Sequence, residues 1–236
     1  MIDLSRTQIL IGEENLERLK NSTVAICGLG GVGGYAFEAI VRAGVDSVII
    51  ADYDRVSSSN INRQILSLVS TMEQMKTDLG QKRAKDINPD INVTVINEKL
   101  TPENISSLIP SKENLYVIDA IDEINTKTAL LAELIKRKIK FVSTMGAGNR
   151  LDVTKIRIED ISKTEYCPLA RTIRKRLRDV GIHSGARCIY SIEKLNKIQQ
   201  VEFETGKRLL GSTSFIPGIF GLMAAGVIIN DIIKMD

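Results

Sequence analysis

A run of glycines, Gly28-Leu29-Gly30-Gly31-Val32-Gly33-Gly34, follows the apolar stretch Val24-Ala25-Ile26-Cys27. A second apolar stretch, Val48-Ile49-Ile50-Ala51, ends in Asp52-Tyr53-Asp54, and Asn60, Arg63, Gln64 and Lys76 come soon after. Glycines between a buried strand and a helix leave backbone N–H groups free at the helix start. Those groups, with the helix dipole behind them, make a seat for phosphate. A Cβ there would hold the backbone away from the ligand and would penalise positive φ. Asp52 lies 24 residues after Gly28, at the tip of the next apolar run, where an acidic side chain grips a ribose hydroxyl. The pattern predicts a nucleotide site.

Alone, Gly28-x-Gly30-x-x-Gly33 is shared with nicotinamide-dependent oxidoreductases. Asp54, Asn60, Arg63 and Lys76 separate the two readings, because an added cluster of charge suits a triphosphate with cationic partners and a metal ion. Asp119 and Asp122 close a further apolar run, Val117-Ile118-Asp119-Ala120-Ile121-Asp122. Strand ends in open α/β sheets face the ligand crevice, so a carboxylate there reaches phosphates or magnesium. Asp119 equally suits the cap of the following helix.

The elements that must position these residues alternate. Strands are expected at Val24–Cys27, Val48–Ala51, Val93–Ile96, Tyr116–Asp119 and Phe141–Thr144, and helices at Val32–Ala43, Met72–Ile87 and Ile124–Lys138. Such alternation predicts a Rossmann-like α/β fold, with a mixed, mainly parallel sheet and helices on both faces. Beyond Gly146-Ala147-Gly148 the rhythm changes. Ile156–Ile158 and Cys188–Tyr190 read as short strands antiparallel to the rest, Gln199–Gly211 reads as a polar crossover, and a last helix starts near Pro217 with Ser214 as its cap. Gly218, Gly221 and Ala225 in that helix would allow close backbone approach. One domain spanning residues 1–236 is expected, with 149–215 as its less regular, substrate-facing part.

Composition sets outer limits. A chain of 236 residues with 43% hydrophobic and 26% charged content is ordinary for a globular domain, and a net charge of +3 leaves partner choice to local clusters. Cys27, Cys167 and Cys188 are far apart and form no C-x-x-C pair, which argues against a structural zinc site and fits a reducing cytoplasm. His183 is the sole histidine, a poor basis for a zinc centre. Cys27 reads as a small core residue and Cys188 as a strand residue, whereas Cys167, ahead of Pro168, is the candidate for a reactive thiol. No apolar leader opens the chain. Residues 215–229 carry no charge but span 15 residues, against the roughly 20 that a membrane crossing needs, and read as a buried helix.

Residues 168–180 read as a basic helix. Arg171, Arg174, Lys175 and Arg178 share one face, with Arg176 beside them. Such density exceeds what solubility requires and predicts contact with the phosphates of a nucleic acid.

Taken together, Gly28-x-Gly30-Gly31-x-Gly33, Asp52-x-Asp54, Asn60-x-x-Arg63-Gln64, Lys76 and Asp119-x-x-Asp122 resemble the adenylation domain of the ubiquitin-activating-enzyme-like (ThiF/MoeB/HesA) superfamily over nearly the whole chain. Arg6-Thr7-Gln8-Ile9-Leu10-Ile11-Gly12, Thr144-Met145-Gly146-Ala147-Gly148 and Gly211-Ser212-Thr213-Ser214-Phe215-Ile216-Pro217 make the chain most similar to its tRNA threonylcarbamoyladenosine dehydratases. The resemblance implies an ATP-dependent ligase. The threonyl carboxylate of the modified adenosine attacks the α-phosphate of ATP, and the ureido group then displaces AMP and closes a ring. It implies Asp52 on the ribose, Arg63 and Lys76 on the phosphates, Asn60 orienting them, and Asp122 on magnesium with Asp119 as second candidate. It also implies a homodimer in which Arg6 enters the partner's site, with sulfur-relay proteins as further partners. The alternative within the superfamily is adenylation of the C-terminal glycine of a ubiquitin-like sulfur carrier.

Overall fold

The computed structural model describes residues 2–194 and 210–233. Seven strands form one sheet in the order β3-β2-β1-β4-β5-β7-β6. They are β1 (Thr23–Cys27), β2 (Ser47–Ala51), β3 (Asn92–Ile96), β4 (Leu115–Asp119), β5 (Lys140–Thr144), β6 (Ile156–Asp160) and β7 (Arg187–Ser191). The first five are parallel in register, with Val24 beside Val48 and Tyr116. β7 also joins β5 in parallel, and only β6, on the edge, runs antiparallel to its neighbour. The expectation that both late strands oppose the rest holds for β6 and is corrected for β7: after α7 (Pro168–Asp179) the chain inserts β7 between β5 and β6, parallel to β5 and antiparallel to β6.

Strand side chains alternate between two cores. Val24, Ile26, Val48, Ile50 and Ile118 face a layer that holds Phe37 and Ile40 of α3 (Gly33–Arg42) and Phe220 and Ile228 of α8 (Ile216–Ile233). Ala25, Cys27, Ile49, Val117 and Phe141 face the other layer, with Leu130 and Leu134 of α6 (Ile124–Lys136) and Ile173 and Leu177 of α7. Burial on both faces explains why these strands read as unbroken apolar runs. Removing a fully buried ring such as Phe37 should cost ~3–5 kcal/mol.

Two helices open the chain, α1 (Ser5–Ile11) and α2 (Glu13–Lys20). Neither stands out in the sequence, and α1 buries no residue in this chain. α4 (Lys76–Ile87) starts four residues later than expected. Residues 73–75 are drawn instead onto 54–56: Val56 N–H donates to Gln74 O at 3.0 Å and Glu73 N–H to Val56 O at 3.0 Å. That pairing sets Lys76 at the helix's first turn, beside Asp54. A short helix, α5 (Ile105–Leu108), precedes β4. The expected crossover at residues 199–211 lies outside the described residues up to 209.

α8 is long and apolar enough to cross a membrane by length alone, but 61% of it is buried inside the fold. Its glycines permit close helix packing, since a Cβ on Gly221 would lie 2.2 Å from Val32 O, and Gly218 sits against the Tyr35 ring. Pro217 opens α8 beside Gly31, while the N–H of Ile216 points at Thr213 Oγ1 (3.4 Å) rather than at the expected Ser214 cap.

Candidate active site

A cavity of about 600 Å³ lies beyond the carboxyl ends of β1, β2 and β4. Its floor is the glycine loop. Gly28 adopts φ +93°, and a Cβ there would lie 2.9 Å from Ala120 O. Gly33 approaches so closely that a Cβ would stand 1.7 Å from Gly28 O. Gly33 is therefore a packing residue that turns the strand into α3, whereas Gly28, Gly30 and Gly31 line the cavity. Among the described residues nothing accepts from the backbone N–H of Gly30, Gly31 or Val32, so three donors are left at the start of α3.

One wall is charged. Asp52, at the tip of β2, accepts from the N–H of Leu29 (2.6 Å) and of Asp54 (2.8 Å). Burial pushes its carboxyl above the usual range, although the Lys76 ammonium and those two N–H donors pull the other way. Lys76 is 3% exposed, with Nζ 2.7 Å from Asp54 Oδ2 and 3.9 Å from Asp52 Oδ2. Asp54 is half exposed, so Lys76 keeps a replaceable partner. Asn60 accepts from Ser57 N–H (3.1 Å), which fixes the turn at Ser58–Asn60, and Arg63 Nη1 donates to Ser59 O (2.8 Å) and Asn62 Oδ1 (2.9 Å). Gln64 is buried behind Gly30, its Nε2 3.9 Å from where a Cβ would sit. Asp52, Asp54, Asn60, Arg63, Gln64 and Lys76 all line the one cavity.

The opposite wall comes from the chain after β3 and β4. Asp122 is exposed to the cavity, and among the described residues its carboxylate has no hydrogen-bond partner. Glu123 caps α6 through the N–H groups of Asn125 (2.9 Å) and Thr126 (2.7 Å). Glu98, Lys99, Leu100 and Thr126 complete this wall, and Lys99 Nζ sits 5.4 Å from the centre of the Tyr53 ring. No motif marks these residues. Their signal is position alone, since strand ends line the crevice of such sheets. The third wall joins Thr144–Gly148 to residues 210–212: Asn149 N–H donates to Gly211 O (2.8 Å) and Gly211 N–H to Asn149 Oδ1 (2.6 Å).

Some expected site residues lie elsewhere. Asp119 does not line the cavity: it is fully buried under the floor, ion-paired with Lys127 at 2.7 Å and accepting from Ser143 Oγ (2.6 Å). A carboxylate so occupied has no oxygen to offer phosphate or metal, and Glu123 has the capping role. Arg174 is tied into the fold, its Nη1 donating to Thr164 O (2.7 Å), Thr164 Oγ1 (2.6 Å) and Ile161 O (3.1 Å). Arg171, Lys175 and Arg178 remain exposed. Arg6 is exposed on α1 and does not line this chain's cavity.

All three cysteines are buried and free. Burial pushes the Cys27 and Cys188 thiols far up, which keeps them protonated. Cys167 precedes α7 at 4% exposure. Among the described residues no three His, Cys, Asp or Glu side chains gather as metal ligands. Magnesium needs no such group, because one or two carboxylates and the phosphates of its nucleotide suffice.

Comparison with known proteins decides the family. Residues 4–235 match the ThiF family. The chain belongs to it. Within the family, the chain is 40% identical to the tRNA threonylcarbamoyladenosine dehydratase of Bacillus subtilis over 98% of its own length and 94% of the relative's. The Escherichia coli dehydratase is 37% identical over 80% of this chain and 73% of that one. The crystal structure of the E. coli enzyme in complex with ATP superposes with a TM-score of 0.90 at 32% identity, covering 98% of this chain and 93% of that one. The Rossmann-like α/β architecture is thus the ThiF-family architecture. A molybdopterin-synthase adenylyltransferase of Haemophilus influenzae is 30% identical over 86% of this chain and 83% of its own.

Proposed function

We propose that the protein is an ATP-dependent tRNA threonylcarbamoyladenosine dehydratase. The observation that carries this reading is the cavity itself, in which three unpartnered N–H groups and two cations face a partner-free carboxylate across a space of nucleotide size. Relatives with the dehydratase name, one of them solved with ATP and again with AMP, support it.

The N–H groups of Gly30, Gly31 and Val32 receive phosphate oxygens, and Asp52 receives the ribose. Lys76 exchanges Asp54 for phosphate, and Arg63 rotates from Ser59 O to join it; both then offset charge that grows as the substrate carboxylate attacks the α-phosphate. That attack forms the acyl–phosphate bond and releases pyrophosphate. The ureido group next attacks the activated carbonyl, AMP leaves with the carboxylate oxygen, and the ring closes with net loss of water. Ring closure is intramolecular, so positioning supplies much of its rate and no cysteine is required. Asp122 fits magnesium, since its carboxylate is free and faces the phosphate side; the ion would draw charge from the phosphates. In a homodimer, Arg6 of one subunit would reach the other's cavity. Residues 149–215 would face the substrate, with Arg171, Lys175 and Arg178 on tRNA phosphates, in the cytoplasm where sulfur-relay proteins would be further partners.

A second reading rests on the likeness to the molybdopterin-synthase adenylyltransferase: adenylation of a sulfur carrier's C-terminal glycine. The exposed cations of α7 favour RNA. Release of AMP and pyrophosphate that requires threonylcarbamoyladenosine-containing tRNA supports the dehydratase. Release that requires a carrier protein ending in Gly-Gly instead overturns it.

A further inference from the structure

We infer that the buried pair Asp119–Lys127 is a positioning device that aims Asp122 into the nucleotide cavity. The inference rests on the role proposed above for Asp122. Both polar ends of Ile121 are held by the pair: Asp119 Oδ1 accepts from Ile121 N–H at 3.1 Å, and Lys127 Nζ donates to Ile121 O at 2.8 Å. The pair itself closes at 2.7 Å with both side chains fully buried. Ser143 Oγ of β5 donates to Asp119 Oδ2, the same oxygen that meets Lys127, and Thr144 Oγ1 donates to the Asp119 carbonyl at 3.2 Å. On the other side Ala120 N–H donates to Cys27 O at 2.9 Å, and Ala120 O rests against Gly28. Four backbone groups between Asp119 O and Ile121 O (Asp119 O, Ala120 N–H, Ile121 N–H and Ile121 O) are therefore held by hydrogen bonds, and the next residue is Asp122. A strand end that bends into a loop without such a clamp would leave a carboxylate at its tip free to swing.

A buried ion pair is a weak source of stability, since its desolvation offsets much of its attraction. Its position beneath the cavity agrees better with a demand for geometry. Residues that orient a metal-binding carboxylate typically shift metal affinity by about 10–100-fold when lost.

The test uses the full chain and compares wild type, Asp119→Leu/Lys127→Met and Asp122→Asn by calorimetry, with ATP plus magnesium and with AMP alone. The double variant removes both buried charges together, so no unpaired charge remains in the core. Its dissociation constant for ATP with magnesium should rise about tenfold while that for AMP stays within about twofold, the same signature as Asp122→Asn. Hydrogen exchange at the Ile121 amide should quicken in the double variant and not in Asp122→Asn. Wild-type affinity for ATP with magnesium in the double variant, alongside a loss in Asp122→Asn, overturns the positioning role and leaves the reading of Asp122 intact. Wild-type affinity in Asp122→Asn overturns the reading of Asp122, and the inference with it. Should the double variant not fold, Ser143→Ala loosens Asp119 by one hydrogen bond and should raise the same constant about threefold; no change there overturns the inference.

Discussion

Two buried lysines sit within the same sheet of strand tips, and they do opposite things. Lys76 lies above the tips with Asp54, whose carboxylate is half exposed, and a second carboxylate, Asp52, at 3.9 Å. Lys127 lies below them with Asp119, and neither meets solvent. Lys76 can trade its partner for a phosphate without leaving a buried charge alone. Lys127 cannot, because its ammonium also holds Ile121 O and its carboxylate partner holds Ile121 N–H. A lysine–aspartate contact at the ligand end of a sheet is therefore not in itself a site. What decides is whether the carboxylate has somewhere else to go.

The comparison breaks first on substitution. Lys127→Met alone strands Asp119 as an uncompensated buried charge and should destabilise the protein by ~3–5 kcal/mol, measured by denaturant unfolding. Lys76→Met should cost less stability than Lys127→Met, because its partner Asp54 is half exposed and can turn to water, yet lower tRNA-dependent turnover by ~10²–10³, because the phosphate charge loses its buried counter-ion. Equal stability losses in both variants would show that the two lysines do not differ in this way. Arg63→Ala should resemble Lys76→Met, with turnover down about 10²-fold and thermal unfolding unchanged.

A smaller effect separates the cations of α7 in the same way. Reversing Arg171, Lys175 and Arg178 to glutamate should weaken tRNA binding about tenfold or more and flatten its salt dependence, with ATP affinity unchanged. Arg174→Ala should instead lower stability by ~1–3 kcal/mol, since its guanidinium satisfies Thr164 O and Ile161 O, and should change tRNA affinity little. The reverse pattern would move Arg174 back among the tRNA contacts.

The smallest effect concerns Asp52. Its folded pKa is raised above 3.8, so the folded state binds the proton more readily than the unfolded chain does. Stability is then highest below 3.8 and is lost as pH rises through the raised folded value. Asp52→Asn should remove that slope from the unfolding free energy in this acid window, while weakening nucleotide binding at neutral pH.

Each of the first five strands lies within a residue of its expected bounds: in β1, β2, β4 and β5 burial on both faces leaves a local mark, an apolar β-branched run, and the edge strand β3 was readable from Val93, Val95 and Ile96. α1 left no such mark, because a helix that buries nothing in its own chain has no apolar stripe facing inward; Ile9 and Leu10 are instead more than 80% exposed. The start of α4 was misplaced because tertiary pairing of 73–75 with 54–56 overrides local helix preference. The orientation of β7 depends on the path of the chain through α7, which no local pattern records.

In the site, spacing carried Gly28, Asp52, Asn60, Arg63 and Lys76 to one cavity but could not tell Asp119 from Asp122. A signal existed. Lys127, Leu130, Leu131 and Leu134 fall at core spacing on one helix, and a lysine on an apolar stripe calls for a buried carboxylate nearby. Arg174 beside Ile173 and Leu177 gives the same kind of warning for α7.

The central claim is that this cavity joins a tRNA-borne carboxylate to AMP so that a ring can close. Its most direct measurement is mass analysis of nucleosides from threonylcarbamoyladenosine-containing tRNA after incubation with the protein and ATP. The account predicts a nucleoside lighter by one water, formed with wild type and formed at least about a hundredfold more slowly with Lys76→Met. Unaltered threonylcarbamoyladenosine with wild type, under conditions where ATP is bound, would contradict it.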